Sequence, residues 1–411
     1  MNMRAHERLI DYTRFATASD AACPACPSTE SQREFGRYLV DEMKALGIHD
    51  ATIDQNGYVY GTIPGNVPHK APVVGFIAHM DVVRDVPYEN IKTRVVEQYD
   101  GGDIVLNAEQ NIVMRAADFA HLAQYKGCDL LVTDGTTLLG ADDKAGIAEI
   151  LTMAEVLLND ASIPHGDIKI GFTPDEEIGR GADLFDIPYF GADFAYTVDG
   201  AAFGGVEYEN FNAAQAVVSI CGKNIHPGSA KNMMKNALTI ACELDGMLPC
   251  AQRPQHTAGY EGFYHLTHLE GIVDEAKMQY ILRDHDAGKL EEKKEMLTRA
   301  VAFLNHKYGA GTLSLDIRDQ YRNMRELIEP HMHLIETACE AIAEAGGNPV
   351  SVPIRGGTDG ATLTYMGLPC PNLATGSHNH HGKMEFAVLQ SMDNTVNTLI
   401  KIAQKYGAKQ K

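Results

Sequence analysis

Histidines and carboxylates gather where predicted strands and helices of this sequence end. Eight such residues stand out: His79, Asp81, Asp142, Asp143, Glu176, Glu177, Asp199 and His381. Two histidines with several carboxylates and no cysteine suit a pair of adjacent divalent metal ions, such as zinc, cobalt or manganese. A carboxylate can bridge two metals where an imidazole cannot, and a further carboxylate must stay unligated to accept the proton of an attacking water. The number of these residues is sufficient for five metal ligands, one general base and one aspartate that orients a histidine ligand.

The acidic turn 173–177 follows an alternating apolar run, 168–172, that is typical of a strand with one packed face. Pro174 ends that strand, because proline lacks the backbone N–H that a sheet requires. Three carboxylates follow at the carboxyl end, where open α/β sheets place their ligands. Alone, such a turn is more typical of a solvated surface. The other strand ends that finish in His or Asp favour a functional site.

The apolar run 73–78 predicts a strand buried on both faces, and it leads into His79 and Asp81. Residues two apart on a strand point the same way, so these two side chains share a side. A histidine with a neighbouring carboxylate is common around zinc, although a structural pair is the alternative. Asp142 and Asp143 precede an apolar helical stripe, and helix capping explains only one of them. There is no His-Glu-x-x-His pair, which excludes the helix-borne single-zinc metalloproteases.

The order of predicted elements indicates an α/β protein with an insertion. Four βα-type units before residue 200 predict a mainly parallel sheet flanked by helices. From about residue 210 the order becomes β-α-β-β-α-β, a ferredoxin-like α+β module. We therefore expect a catalytic domain in residues 1–209 and 323–411, and an inserted lid domain in residues 210–322. We also expect helices over 3–17 and 326–344, and an irregular excursion over 85–130.

Composition narrows the function classes. The chain has 411 residues, 45% hydrophobic and 22% charged, as in an ordinary soluble globular protein. A formal charge of −20 argues against nucleic acid and anionic membrane as partners. No apolar run approaches the length of a membrane span, and no signal-peptide core precedes the first helix. The eight scattered cysteines favour reduced thiols in a cytoplasm.

At the candidate site the sequence closely resembles the peptidase T family, the tripeptide aminopeptidases of the co-catalytic di-zinc exopeptidase clan. The matching stretches are Thr133–Ile147, Phe172–Gly179, Tyr196–Gly200, Tyr208–Ala213, Glu261–Leu266, Arg355–Ala361 and His381–Glu385. The similarity runs essentially from end to end. His380 and Met384 depart from the family pattern, which has Tyr and His there, and neither is an assigned ligand.

The resemblance implies a site for two Zn²⁺ ions per subunit, with Co²⁺ or Mn²⁺ as substitutes. It implies that His79 and Asp199 hold one ion, that Glu177 and His381 hold the other, and that Asp142 bridges them.

The resemblance also implies the catalytic roles. Glu176 would be the general base, and Asp81 would orient His79. His226 in the insert matches the family's lid histidine, which steadies the tetrahedral intermediate. A cis peptide between Asp142 and Asp143 is implied as well.

Arg283 and Arg355 are candidates for binding the substrate's C-terminal carboxylate, since an arginine fork suits a carboxylate bidentately. Ordinary salt-bridge roles are the alternative for both. Bound at a fixed distance from the metals, the carboxylate would select tripeptides over shorter and longer chains.

These observations together predict a cytoplasmic metallo-aminopeptidase that releases the N-terminal residue of tripeptides. One alternative is a carboxypeptidase or N-acyl amino acid deacylase with the same metal site. A catalytically inactive metal-binding scaffold is another, against which the retention of Glu176 and all five ligands argues. The sequence leaves open whether the chain acts alone or as a homodimer.

Overall fold

A computed structural model describes residues 3–411 of the chain as two compact units. The first unit holds the chain up to Tyr208, Glu326–Val352 and Thr358–Lys411, and the second holds Glu209–Arg325 and Pro353–Gly357. The insert proposed over 210–322 thus lies inside the second unit. The short segment around Arg355, which the proposed boundaries assign to the catalytic domain, groups with the second unit as well.

The α-helices are α1 (Ala5–Tyr12), α2 (Glu30–Leu46), α3 (Ala141–Asn159), α4 (Ile187–Phe190), α5 (Ala237–Met247), α6 (Ala287–Tyr308), α7 (Arg325–Ile328), α8 (His333–Glu344), α9 (Asp359–Tyr365) and α10 (Leu389–Gly407). The β-strands are β1 (Thr52–Ile53), β2 (Val59–Ile63), β3 (Val74–His79), β4 (Thr93–Val96), β5 (Ile104–Asn107), β6 (Ile112–Met114), β7 (Leu130–Thr133), β8 (Ile168–Thr173), β9 (Phe194–Gly200), β10 (Gly205–Glu207), β11 (Asn212–Cys221), β12 (Phe263–Gly271), β13 (Glu275–Asp284), β14 (Leu313–Tyr321), β15 (Val350–Ser351), β16 (Asn372–Ala374), β17 (Ser377–His378) and β18 (Phe386–Val388).

The first unit is built on a sheet with the strand order β1-β2-β8-β3-β9-β16-β10-β15. Its centre is parallel, from β8 through β3 and β9 to β16. The flanking pairs β2–β8 and β10–β16 are antiparallel, so the sheet is mixed around a parallel core. Every residue of β3 is buried, as its unbroken apolar run predicts. The predicted α/β class is confirmed.

The second unit contains an antiparallel sheet with the strand order β12-β13-β11-β14. Helix α5 connects β11 to β12, and α6 connects β13 to β14, which is the predicted ferredoxin-like order. Along β11, buried residues alternate with more exposed ones over much of the strand. Both helices pack their apolar residues on that buried face, with Ile240 and Leu297 fully buried.

Three expectations about local structure are wrong. The excursion over 85–130 is not irregular, because β4 pairs with β7 and β5 with β6. Those strands have only three or four residues, too few for a periodic signal. The helix expected over 326–344 is divided into α7 and α8 by a turn at Pro330, which cannot donate a helical hydrogen bond. The first helix ends at Tyr12 instead of residue 17.

Within residues 3–411, every helix falls short of the length or the apolar character that crossing a bilayer requires.

Candidate metal centre

Neighbouring parallel strands carry the first part of the site. His79 is the last residue of β3 and lies opposite Thr173, the last residue of β8. Glu176 and Glu177 form the short 3₁₀ turn that follows β8. Asp199 lies near the end of β9. Because parallel strands end at the same edge of a sheet, these three segments, distant in sequence, converge there.

Helix α3 brings Asp142 to the same edge. Gly140, at φ 74°, takes the left-handed turn that precedes the helix, which only glycine adopts without strain. Gly146 packs so close to β9 that a Cβ there would lie 1.9 Å from the carbonyl oxygen of Val198. This contact sets the start of α3 beside the end of β9. The peptide between Asp142 and Asp143 is cis, as the resemblance implies.

The two oxygens of Asp142 face different histidines. Oδ1 lies 2.9 Å from His79 Nε2, and Oδ2 lies 3.1 Å from His381 Nε2. His79 Nε2 is also 3.4 Å from Asp199 Oδ1. His381 Nε2 is 3.0 Å from Glu177 Oε2. The five residues therefore form two groups that share the carboxylate of Asp142.

The chemistry of these donors fits divalent metals. Ligand atoms of His79, Asp142 and Glu177 all lie within 4.8 Å of one another. Glu177 Oε1 is buried and has no hydrogen-bond partner among the described residues. A buried carboxylate oxygen without a donor is costly unless a cation balances it. The arrangement can hold divalent metal ions.

Asp143 is close to the site but is held by the backbone. Its Oδ2 accepts the backbone N–H of His79 at 3.1 Å, and its Oδ1 accepts that of Gly146 at 3.2 Å. It also has ligand atoms within 4.8 Å of His79 and Asp199. With both oxygens engaged, Asp143 anchors β3 to α3 beside the ligands.

Asp81 connects the histidine to the acidic turn. Its Oδ1 accepts the N–H of Glu176 at 2.9 Å, and its Oδ2 accepts the N–H of Glu177 at 3.1 Å. His79 Nδ1 lies 3.1 Å from the backbone oxygen of Asp81 and 3.4 Å from its Oδ1. The backbone carbonyl of Asp81 is thus the nearer partner of the imidazole, and its carboxylate holds the turn.

Burial and neighbouring charges shift the acid–base behaviour of the site. Burial raises the pKa of Glu176 well above its usual range, His79 opposes the shift, and Asp199 reinforces it. Hydrogen bonds to Asp142 and Glu177 raise the pKa of His381 to about 11. The carboxylates therefore favour a positive charge at His381, the position where a metal ion would take the place of a proton.

Comparison with known proteins agrees with this geometry. Residues 208–311 match the family model of the peptidase dimerisation domain. The whole chain is 52% identical to peptidase T of Caldanaerobacter subterraneus subsp. tengcongensis over 403 residues, which cover 98% of each protein. Peptidase T of Geobacillus kaustophilus is 50% identical, again over 98% of each protein. The chain belongs to the peptidase T family.

Solved structures share the peptidase T fold. A tripeptidase from Staphylococcus aureus superposes with a TM-score of 0.80 at 21% identity, covering 100% of this chain and 99% of that one. The aminopeptidase PepT of Bacillus cereus gives 0.75 at 23% identity, covering 98% and 99%. A dinuclear metal-binding peptidase of the M20 family from Bacillus subtilis gives 0.61 at 15% identity, covering 98% of each chain.

Two buried carboxylates of this peptidase T family site were not assigned from the sequence. Glu385 Oε2 accepts the N–H groups of Leu139 and Gly140, each at 2.7 Å, and its Oε1 accepts that of Asp142 at 3.2 Å. It thus fixes the turn that carries Asp142. Its place in the family motif at 381–385 was the only signal for it.

Asp175 is the second of these carboxylates, and it holds the acidic turn from the opposite side to Asp81. Its carboxylate accepts hydrogen bonds from the Ser28 hydroxyl and backbone N–H, and from Gln32 Nε2. Its own N–H donates to Gln32 Oε1 at 2.9 Å. These contacts join the turn to the start of α2, a pairing across nearly 150 residues that no local sequence pattern reveals.

The residues predicted to bind substrate lie in the second unit. His226 is exposed, and its Nδ1 accepts the N–H of Gly228 at 3.2 Å. Arg283 is 9% exposed and donates to the carbonyl oxygens of Ala214 and Leu282. Its guanidinium also lies over a tyrosine ring in β14.

Arg355 is half-buried. Its Nη1 donates to the carbonyl oxygens of Gly259 and Glu261, at 2.7 and 2.8 Å, and its Nη2 donates to Thr257 Oγ1 at 2.9 Å. Both arginines thus have partners inside their own unit. Their roles toward a substrate stay predictions.

Proposed function

We propose that this peptidase T family protein is a cytoplasmic metallo-aminopeptidase that releases the N-terminal residue from tripeptides. The observation that supports it most is the sharing of Asp142 between two His–carboxylate groups. His79 and Asp199 would hold one Zn²⁺ ion, Glu177 and His381 would hold the other, and Asp142 would bridge them. Bound there, two divalent ions activate a water molecule and polarise the scissile carbonyl.

Glu176 is proposed as the general base. Its backbone is fixed by Asp81, and its side chain lies within the electrostatic reach of His79 and Asp199. A carboxylate that is not a ligand can accept the proton of the attacking water. The same carboxyl, now protonated, can pass that proton to the leaving amine.

Three further features belong to this proposal. The relatives named peptidase T and the tripeptidase fold support tripeptides as substrates. The match to a peptidase dimerisation domain supports a homodimer. All eight cysteines are unpaired, which supports a reducing compartment such as the cytoplasm.

The test is hydrolysis of a peptide panel, with metal analysis of the same preparation. The panel contains a tripeptide, its N-acetylated form, and the dipeptide and tetrapeptide of the same composition. We expect the free tripeptide to be cleaved fastest at its first peptide bond, with two zinc ions per chain. Preferred cleavage of the N-acetylated form would instead indicate the deacylase or carboxypeptidase alternative, and cleavage of none would indicate an inactive scaffold.

A further inference from the structure

An aminopeptidase must recognise a free α-ammonium group, which is two bonds from the scissile carbonyl carbon and thus within about 2.5 Å of it. The residue that recognises this cation needs a negative charge, a position beside the metal ligands, and an oxygen without another partner. This requirement rests on the proposed function.

Most carboxylates around the site fail the third condition. Four have both oxygens engaged by hydrogen bonds: Asp81, Asp143, Asp175 and Glu385. Asp359 accepts a hydrogen bond from Thr173 at one oxygen and is only 6% exposed, so it offers little surface to a ligand. The remaining carboxylates already have proposed roles: Asp142, Glu177 and Asp199 as metal ligands, and Glu176 as the general base.

Glu207 meets the conditions. It is the last residue of β10 and pairs with Asn372 of β16, which in turn pairs with Thr197 of β9. Directly paired residues on neighbouring strands project to the same face of a sheet, and so do residues two apart on one strand. Glu207 therefore projects from the face that carries Thr197, two strands away from it. Asp199 follows Thr197 by two residues, at the point where the pairing of β9 with β16 shifts by one residue, and its charge acts on the Glu207 carboxyl.

The carboxylate of Glu207 is fixed at one oxygen and open at the other. Oε2 accepts a hydrogen bond from Asn372 Nδ2 at 2.7 Å. No hydrogen bond from residues 3–411 reaches Oε1, and the side chain is partly exposed. A carboxylate oriented by one amide, with no hydrogen bond at its other oxygen, is prepared for a cationic ligand.

The surroundings of Glu207 show its electrostatic connection to the site. Burial raises its pKa to about 7, the hydrogen bond from Asn372 lowers it, the charge of Asp199 raises it, and His380 lowers it. His380 Nδ1 in turn lies 3.6 Å from Asp142 Oδ2. A substrate ammonium beside Glu207 would favour its ionised form, so substrate binding and ionisation support each other.

We propose that Glu207 binds the α-ammonium group of the substrate's N-terminal residue through Oε1. Asn372 holds the carboxylate in place, and the ion pair sets the scissile carbonyl of the first residue at the metal ligands. Glu207 is thereby the residue that makes this chain an aminopeptidase, rather than an enzyme for N-acylated substrates.

Glu207→Gln tests this proposal, because the amide keeps an oxygen for Asn372 and loses the charge. The probes are Ala-Ala-Ala and propionyl-Ala-Ala, which differ only in the α-ammonium. For Ala-Ala-Ala we expect kcat/KM to fall roughly 10- to 150-fold in the variant, mainly through KM, as for a lost charge-assisted hydrogen bond. For propionyl-Ala-Ala we expect a change of less than about threefold, because that substrate never makes the contact.

A binding measurement separates this proposal from the proposed function. Alanine hydroxamate and propionohydroxamate both present a hydroxamate to the metal ions and differ in the same ammonium. Calorimetry on zinc-loaded protein measures the ratio of their affinities in the parent and in the variant, and it needs no turnover. The parent should bind alanine hydroxamate more tightly, and Glu207→Gln should lose that preference. The matched control is Glu109→Gln, an exposed residue in the turn between β5 and β6, which should keep the parent's preference.

Equal binding of both hydroxamates by the parent would overturn the inference, and so would an unchanged preference in Glu207→Gln. An equal loss of affinity for both hydroxamates in the variant would also overturn the inference, since that pattern indicates a structural defect. Failure of the parent to cleave any tripeptide would instead refute the proposed function and leave the binding comparison to decide the role of Glu207.

Discussion

Asp81 Oδ1 accepts the backbone N–H of Glu176 at 2.9 Å. Through this bond and its partner to Glu177, one buried carboxylate fixes the turn that carries both the proposed base and a proposed ligand. The sequence predicts that Asp81 orients His79. In the structure its backbone carbonyl is the nearer partner of that ring, and its side chain positions the acidic turn.

Asp81→Asn should impair catalysis more than folding. An amide presents an NH₂ group to one of the two N–H donors, so one charge-assisted hydrogen bond becomes a repulsive contact. Such a bond contributes ~1.5–3 kcal/mol, which predicts a loss in kcat of roughly 10- to 150-fold. The measurement is kcat together with metal content, and Asp85→Asn, an exposed neighbour, is the control. Unchanged kcat in Asp81→Asn would remove the positioning role.

Glu176→Gln should keep two bound metals and lose turnover. The amide is nearly isosteric but cannot accept the proton of the attacking water, so we expect a loss of ~10³-fold or more. Single-turnover kinetics on metal-loaded protein measure the effect. Activity within a few-fold of the parent would contradict the assignment of the base.

Glu385→Gln should weaken metal binding through Asp142. Three backbone N–H groups around the bridging aspartate converge on this carboxylate, and the amide can accept from fewer of them. Partners of metal ligands typically contribute about 10- to 100-fold in metal affinity. We expect activity to fall at limiting zinc and to recover in excess zinc. A loss that excess zinc does not restore would indicate a different role.

Metal binding should strengthen as the pH rises. The carboxylates raise the pKa of His381 to about 11, so without metal its ring carries a proton at neutral pH. An ion that binds there must displace that proton, and each proton released makes the apparent affinity rise tenfold per pH unit below that pKa. Calorimetry in buffers with different ionisation enthalpies counts the protons. Binding without proton release would contradict this account, and chelation at any pH should abolish activity.

Removing the negative charge at the C-terminus of the tripeptide substrate should also reduce activity. A C-terminally amidated tripeptide lacks the carboxylate that Arg283 or Arg355 is predicted to bind, a loss worth ~1.5–3 kcal/mol or roughly 10- to 150-fold in kcat/KM. If one of these arginines binds the carboxylate, replacing it by Ala should erase most of the difference in kcat/KM between the acid and the amide. Arg355→Ala and Arg283→Ala therefore show which arginine it is. Equal hydrolysis of acid and amide by the parent would show that length selection has another origin.

Several features of this protein were determined by the sequence alone. The unbroken apolar run of β3 predicts a buried strand, and every residue of β3 is buried. The β-α-β-β-α-β order predicts the architecture of the second unit, because element type follows from local periodicity. The strand ends predict that His79 and Asp199 lie close together, since parallel strands end at the same edge of a sheet, and the structure places His79 Nε2 3.4 Å from Asp199 Oδ1.

The tertiary structure alone decided how the site is held. The bonds from Ser28 and Gln32 to Asp175, and from Glu385 to the start of α3, join segments far apart in sequence. The place of Glu207 on the same face as Asn372 and Thr197 depends on the register of three strands, in which a shift by one residue would turn its side chain to the other face. Local periodicity carries no information on register or on the partners of buried carboxylates, because both are settled by packing between distant elements.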